Sequence, residues 1–121
     1  MKVLVADDDP AIVSALVDIL RDEGHEATGV HDGRAALAAA RDGDPDVALL
    51  DITMPGMNGY DVAREIRSRV ERRPMLIAIT AAGTASDRML STLAGFDHHL
   101  SKPFGARAIA GLITALNPRL E

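Results

Sequence analysis

The stretch that decides the fold is Asp46–Gly59, which reads DVALLDITMPGMNG. Residues 47–50 are apolar at every position, which is typical of a parallel strand covered by helices on both faces. Asp51 follows where this strand should end, and residues 55–59 then supply turn formers. A carboxylate at the carboxyl end of a buried strand stands where open α/β sheets bind ligands. A lone Asp in this position more often caps a helix or ends a strand, so the neighbouring strands decide its meaning.

The alternation of an apolar strand with a helix continues along the whole chain. Strands are predicted at residues 3–6, 26–30, 47–50, 75–79 and 98–101. Helices are predicted at residues 10–23, 34–41, 60–70 and 86–94, and a last amphipathic helix carries Ile109, Leu112, Ile113 and Leu116. This alternation predicts an α/β fold, a three-layer doubly wound parallel sheet of five strands with five helices on its two faces.

Composition narrows the function classes. The 121 residues fit one domain, and the absence of cysteine excludes disulfides, thiolate metal sites and a cysteine nucleophile. The net charge of −5 and the lack of a basic cluster argue against direct nucleic-acid binding. No apolar run approaches membrane-spanning length, and we expect no signal peptide because the first residues lead straight into a strand.

Polar side chains mark the carboxyl ends of four predicted strands. Asp7 and Asp8 follow the first strand, Asp51 follows the third, Thr80 ends the fourth and Lys102 follows the fifth. Each residue has an ordinary structural explanation on its own, and one acid of the Asp7–Asp9 run should cap the first helix. Because parallel strands end at the same edge of the sheet, we expect the set to lie together.

Such a set suits phosphoryl chemistry. Three carboxylates in a small site repel one another unless a proton or a cation intervenes. Oxygen ligands of this kind favour a hard divalent cation, most plausibly Mg²⁺, and a lysine beside them can hold an anion such as phosphate. A carboxylate at the centre, Asp51, could then act as a nucleophile and form an acyl phosphate.

The sequence resembles the receiver domains of two-component response regulators. The matching segments are VLVADDDP at 3–10, DVALLDITMPGMNG at 46–59, LIAITA at 76–81 and HHLSKPF at 98–104. The resemblance covers essentially the whole chain, so that residues 1–121 are interpreted as one receiver domain. It implies a flavodoxin-like fold with strand order 2-1-3-4-5, which places the first and third strands side by side.

The resemblance also implies a role for each acidic residue. Asp51 would be the phosphoacceptor. Mg²⁺, or Mn²⁺ in its place, would be bound by Asp8, Asp51 and the backbone carbonyl of Thr53, while Asp7 would act mainly through water.

The remaining site residues are assigned in the same way. Lys102 would pair with the phosphoryl group, Thr80 would donate a hydrogen bond to it, and the small Ala81 would leave room for it. The Lys102–Pro103 peptide would be cis, a conformation found almost only before proline.

The partners follow from the family. The donor would be a histidine kinase or a phosphotransfer protein, in the cytoplasm, and the chain would be no enzyme beyond its own phosphorylation and dephosphorylation. The chain would be either a stand-alone receiver or a segment of a longer regulator or hybrid kinase, and the sequence names neither the kinase nor the downstream target. Leu120–Glu121 could be a vector remnant, which would favour a segment excised from a longer regulator over a stand-alone protein.

One position departs from the commonest family pattern. The switch residue of the fifth strand is often Tyr or Phe, and here it is His99. One hypothesis is that His99 moves inward as neutral imidazole on phosphorylation, so that low pH opposes the active state. The alternative is that His99 stays exposed and only offers a hydrogen bond to a partner. In both cases the resemblance implies that phosphorylation switches the surface of the fourth helix, fifth strand and fifth helix, which the partner would contact.

Two other functions compete with phosphoacceptance. Haloacid-dehalogenase phosphatases also form an aspartyl phosphate with Mg²⁺, through a DxDxT pattern; Asp7 and Asp9 fit it, but Ala11 stands where the Thr is needed. The other alternative is a receiver that serves only as an interaction scaffold. Such a protein should lack an acidic residue or the lysine, and this sequence has all of them.

Overall fold

Five parallel strands form one sheet in the computed structural model of the chain. The structure describes residues 1–69, 74–80 and 85–101 and positions 109, 111 and 113; for residues 85–88 it describes the backbone alone. The strands are β1 (Lys2–Ala6), β2 (Glu26–Val30), β3 (Val47–Asp51), β4 (Met75–Thr80) and β5 (His98–Ser101). Their order is β2-β1-β3-β4-β5, with every neighbouring pair parallel, which confirms the predicted sheet.

Side chains alternate between two hydrophobic cores, one on each face of the sheet. In β1, Val3 and Val5 join the core beneath the first helix, whereas Leu4 and Ala6 join the core on the opposite face. A strand that is buried on both faces must be apolar at every position, because successive side chains point to opposite sides. This is why β3 consists of an unbroken apolar run before Asp51.

Four helices have bounds within the described residues. They are α1 (Pro10–Asp22), α2 (Gly33–Gly43), α3 (Gly59–Arg69) and α4 (Ala85–Ala94), each within two residues of its prediction. Of the predicted fifth helix only positions 109, 111 and 113 are described, and all three are helical. Ile109 and Ile113 are buried in the core beneath α1, as a helix packed on that face requires. The rest of this helix lies outside the described residues.

Polar side chains begin three of these helices. The Asp9 carboxylate accepts a hydrogen bond from the Ala11 N–H at 3.0 Å, so Asp9 is the acid of the Asp7–Asp9 run that caps α1. Asp32 caps α2 through the Ala35 N–H at 2.8 Å. The Asn58 side chain accepts from the Asp61 N–H at 2.9 Å and caps α3. Each cap satisfies a backbone N–H that has no partner within its helix.

Two carboxylates fasten the amino-terminal ends of the strands. The Lys2 N–H donates to Asp46 at 2.9 Å, and the Leu76 N–H donates to Asp97 at 2.9 Å. In both cases the acid lies just before a strand and accepts from the start of the neighbouring strand. These bonds lie at the opposite end of the sheet from Asp51.

His25 is buried just before β2, at the same end of the sheet. Its Nδ1 lies 3.1 Å from the amino group of Met1. Burial lowers the pKa of His25 below its usual 6.5, the positive terminal amine lowers it further, and the carboxylate of Glu23 opposes the change. The folded state therefore favours the neutral imidazole.

Within the part of the chain that the structure describes, no helix combines the length and the apolar character needed to cross a lipid bilayer.

Candidate functional site

Three carboxylates converge at the carboxyl edge of the sheet. Oxygen atoms of Asp7, Asp8 and Asp51 all lie within 4.8 Å of one another, and we call these residues the acid cluster. The sequence predicted this grouping, and it is confirmed.

The register of the sheet explains why these residues meet. β1 pairs with β3 from Val3 opposite Val47 to Ala6 opposite Leu50. One step further along the two strands come Asp7 and Asp51. Neighbouring strands lie about 4.8 Å apart, so two carboxylates at matching ends are brought close without any special loop geometry.

Burial distinguishes the three acids. The Asp7 side chain is fully buried, Asp51 is only 3 % exposed, and Asp8 is exposed to solvent. The Asp9 N–H donates to Asp7 Oδ1 at 3.0 Å, and the Thr53 N–H donates to Asp51 Oδ1 at 3.1 Å. These two amides orient the buried carboxylates. Asp8 leaves the site open to solvent on one side.

Two glycines hold the loop that follows Asp51, residues 52–58. A Cβ on Gly59 would lie 2.5 Å from the backbone oxygen of Asp51 and 2.8 Å from the Cα of Ile52. A Cβ on Gly33, at the start of α2, would overlap the backbone carbonyl of Met57. The starts of α2 and α3 therefore pack directly on this loop, and only residues without a side chain fit there.

The predicted phosphoryl-binding residues divide into described and undescribed positions. Thr80 ends β4 and is buried; because Asp51 pairs with Ile79, Thr80 lies one step further along the neighbouring strand. Thr53, two residues after Asp51, is exposed to solvent. Ala81, Lys102 and Pro103, with the predicted cis peptide, lie outside the described residues.

His99 is half-buried and lies on β5, opposite Ala78 of β4. Its Nδ1 lies 3.2 Å from the hydroxyl of Ser91, a buried residue of α4. This bond links β5 to α4.

Sequence reasoning missed three residues that shape the site. Ser91 was not assigned as the partner of His99, and neither Gly33 nor Gly59 was assigned its contact with the loop after Asp51. A hydroxyl on the inner face of α4 was the available signal for Ser91. The glycine contacts join distant segments and leave no local signal.

The donor set of the acid cluster fits a hard divalent cation. It consists of carboxylate oxygens alone, at a spacing that one ion could bridge, and Mg²⁺ and Mn²⁺ favour such ligands. Asp9, by contrast, caps α1 and is not part of the cluster. This arrangement disfavours the dehalogenase alternative, which needs Asp7 and Asp9 to act together.

The family follows from comparison with known proteins. A family model described as "Response regulator receiver domain" matches residues 3–114. The chain belongs to this family. Among curated relatives, the DNA-binding response regulator MtrA of Mycolicibacterium smegmatis is 36% identical over 120 residues, which are 99% of this chain and 52% of MtrA. The chain spans about half the length of the curated relatives it matches.

Solved structures show the same fold. The receiver domain of the Francisella response regulator 1452 superposes with a TM-score of 0.90 at 27% identity, covering 99% of this chain and 98% of that one. The receiver domain of the sensor histidine kinase PA1611 from Pseudomonas aeruginosa PAO1 superposes at 0.84 with 31% identity, covering 94% of both chains. That structure has a magnesium ion coordinated in its active-site cleft.

Proposed function

We propose that Asp51 is the phosphoacceptor of this receiver domain. The observation that carries the proposal is the acid cluster, which groups Asp51 with Asp7 and Asp8 at adjoining strand ends in a member of the receiver family. A carboxylate oxygen of Asp51 attacks phosphorus, the bond from phosphorus to the donor breaks, and the donor leaves with its electron pair. The product is an aspartyl phosphate.

The acid cluster binds Mg²⁺ in this proposal, with Mn²⁺ as a substitute. Asp8, Asp51 and the carbonyl oxygen of Thr53 would hold the ion, and Asp7 would contribute mainly through water. The cation would neutralise charge that the three carboxylates and the incoming phosphoryl group otherwise bring together. The all-carboxylate donor set and the magnesium ion in the PA1611 receiver support this assignment.

The other side chains act on the transferred group. Lys102 pairs with its negative oxygens, Thr80 donates a hydrogen bond, and Ala81 leaves space, with a cis peptide before Pro103. Support comes from the family and, for Thr80, from its position beside Asp51 on the neighbouring strand. His99 transmits the change to α4, and its hydrogen bond to Ser91 supports this role.

The phosphoryl donor is a histidine kinase or a phosphotransfer protein, which places the reaction in the cytoplasm. The domain catalyses only its own phosphorylation and dephosphorylation. MtrA is a DNA-binding regulator about twice as long as the segment it shares with this chain. We propose that a separate output segment or target acts downstream, and that residues 1–121 do not themselves contact nucleic acid.

Labelling with acetyl phosphate and Mg²⁺ tests the proposal. Mass spectrometry should find one base-labile phosphoryl group on the wild-type protein, and none on Asp51→Asn, because an amide is not a nucleophile here. The matched control is Asp9→Asn, which should label normally since Asn caps helices as well as Asp.

Peptide mapping distinguishes the alternatives. A label on Asp7 would support the dehalogenase function. Full labelling of Asp51→Asn would refute phosphoacceptance by Asp51, and failure of wild type to label under any donor would favour the scaffold function.

A further inference from the structure

A groove between α2 and α3 lies beside the loop that follows Asp51, away from β5 and α4. We call it the α2–α3 groove; its volume is about 620 Å³, within the range of about 300–1,000 Å³ that is typical of ligand sites. Its lining includes Leu37 and Ala38 of α2, Asp61, Arg64 and Glu65 of α3, and Met57 of the loop between β3 and α3.

The groove concentrates positive charge on an acidic protein. Arg34, Arg41 and Arg64 line it, and they are three of the seven Lys and Arg side chains that the structure describes. The chain as a whole carries a net charge of −5. Asp61 and Glu65 also line the groove, so the three arginines leave it with an excess of one positive charge, opposite in sign to the overall charge of the molecule.

These guanidinium groups are available to a ligand. Arg64 forms an ion pair with Asp61 at 3.2 Å, and Arg41 forms one with Asp42 at 3.3 Å. Both arginine side chains are about 60% exposed, so these ion pairs are weak and a ligand can replace them. Arg34 is exposed and forms no ion pair within the described part of the chain. Glu65, one of the two acids that line the groove, is paired with Arg69 of α3.

The apolar part of the groove lining is only half covered. Leu37 and Met57 are partly buried and pack against the core on this face, and Ala38 beside Leu37 is also partly buried. An occupant that covered them would remove apolar surface from water, which favours association. The apolar lining therefore favours an apolar group, and the excess of arginine over acid favours negative charge beside it.

We propose that the α2–α3 groove binds a peptide segment of a partner protein in which an apolar side chain is flanked by carboxylates. The apolar side chain rests on Leu37 and Met57, and the carboxylates face Arg34 and Arg41. This surface is separate from the acid cluster and does not depend on which aspartate is phosphorylated.

The probe is an acetylated five-residue peptide with leucine between two pairs of glutamates. Titrated into the isotope-labelled chain, it should shift the NMR amide signals of Arg34, Leu37 and Met57. Replacing its leucine by glutamine, or its glutamates by lysines, should weaken or abolish the shifts. Arg34→Glu and Arg41→Glu should each weaken binding about threefold, as expected for exposed charge pairs. The double variant that carries both changes should bind about tenfold more weakly than wild type.

Arg21→Glu is the matched control, since it makes the same charge change on α1, which packs on the opposite face of the sheet from α2 and α3; it should leave the affinity within about twofold of wild type. Equal weakening by Arg21→Glu, shifts confined to other surfaces, or no shift at about 10 mM peptide would overturn the proposal. Equal binding of the lysine peptide would do so as well. Concentration-dependent shifts at these residues without peptide would assign the groove to a second copy and also overturn it.

Discussion

Gly59→Ala tests how tightly α3 packs on the end of β3. The added Cβ would lie 2.5 Å from the Asp51 carbonyl oxygen, against about 3.4 Å for an ordinary contact, a shortfall of about 0.9 Å. The neighbours are backbone atoms of Asp51 and Ile52, so no side chain can rotate away. Relief requires the loop or the start of α3 to move.

The magnitude follows from that displacement. Overpacking of this kind costs about 1–3 kcal/mol, which lowers the melting temperature of a domain this size by roughly 4–12 °C. Because the contact involves the residue that carries the proposed nucleophile, a shift of nearly 1 Å should also slow labelling by acetyl phosphate by about tenfold or more.

Thermal unfolding followed by circular dichroism, together with the labelling rate, measures both effects. Gly43→Ala is the matched control, because a Cβ at Gly43 meets nothing within 4 Å and Gly43 ends α2. That variant should be neutral or more stable by up to about 1 kcal/mol. The reasoning would be wrong if Gly59→Ala melted and labelled like wild type, or if the two variants lost equal stability.

Three further predictions concern charged and polar groups. Because the pKa of His25 is lowered in the folded state, its contribution to stability is complete above about pH 6.5 and is lost on acidification. His25→Gln should therefore lose less unfolding free energy than wild type between about pH 7 and about pH 5.5, as measured by urea unfolding. An equal loss in the two proteins would contradict this. Asp97→Ala should lower the free energy of unfolding in urea by about 1–2 kcal/mol, because it removes the acceptor of the Leu76 N–H. A decrease of under about 0.5 kcal/mol would show that Asp97 acts only as a surface charge. Asp8→Asn should raise the melting temperature without metal, by relieving repulsion in the acid cluster, and abolish stabilisation by about 10 mM Mg²⁺; continued stabilisation by Mg²⁺ would place the ion elsewhere.

The sheet could be predicted from the sequence because burial on both faces imposes a local pattern. The apolar runs before Asp51 and before Asp7 indicate strands that are buried on both faces. The alternation of strands with helices indicates that the strands pair in parallel. Strand order is different, since no residue in β1 specifies β3 as its neighbour; it came from resemblance to a family. The grouping of Asp7 with Asp51 depended on that order.

Helix ends were predictable where a cap is local. One acid of the Asp7–Asp9 run was expected to cap α1, and the structure identifies it as Asp9, whose side chain bonds to an amide two residues ahead. α2 was predicted to end near residue 41, and it continues to Gly43; Asp44 then ends it in the left-handed conformation with φ 48°. Asp tolerates this region better than most residues, so it can end a helix where a glycine is more usual.

The remaining features could not be predicted because they join distant segments. The packing of Gly33 on Met57, and the burial of His25 against Met1, depend on where helices and strands settle in space. The α2–α3 groove is of the same kind: Arg34 and Arg64 are separated by 30 positions in the sequence and become neighbours only through packing.

The two glycine contacts also determine where this protein tolerates added sequence. Gly33 packs on the carbonyl of Met57 and Gly59 packs on the backbone of Asp51 and Ile52, so we expect an insertion in the loop between these contacts to move Asp51. The turn after Gly43 is exposed, and nothing lies within 4 Å of the space beside that glycine. A fluorescent reporter or affinity tag placed between Gly43 and Asp44 therefore leaves the acid cluster undisturbed, which makes this turn the natural attachment point for biosensor design.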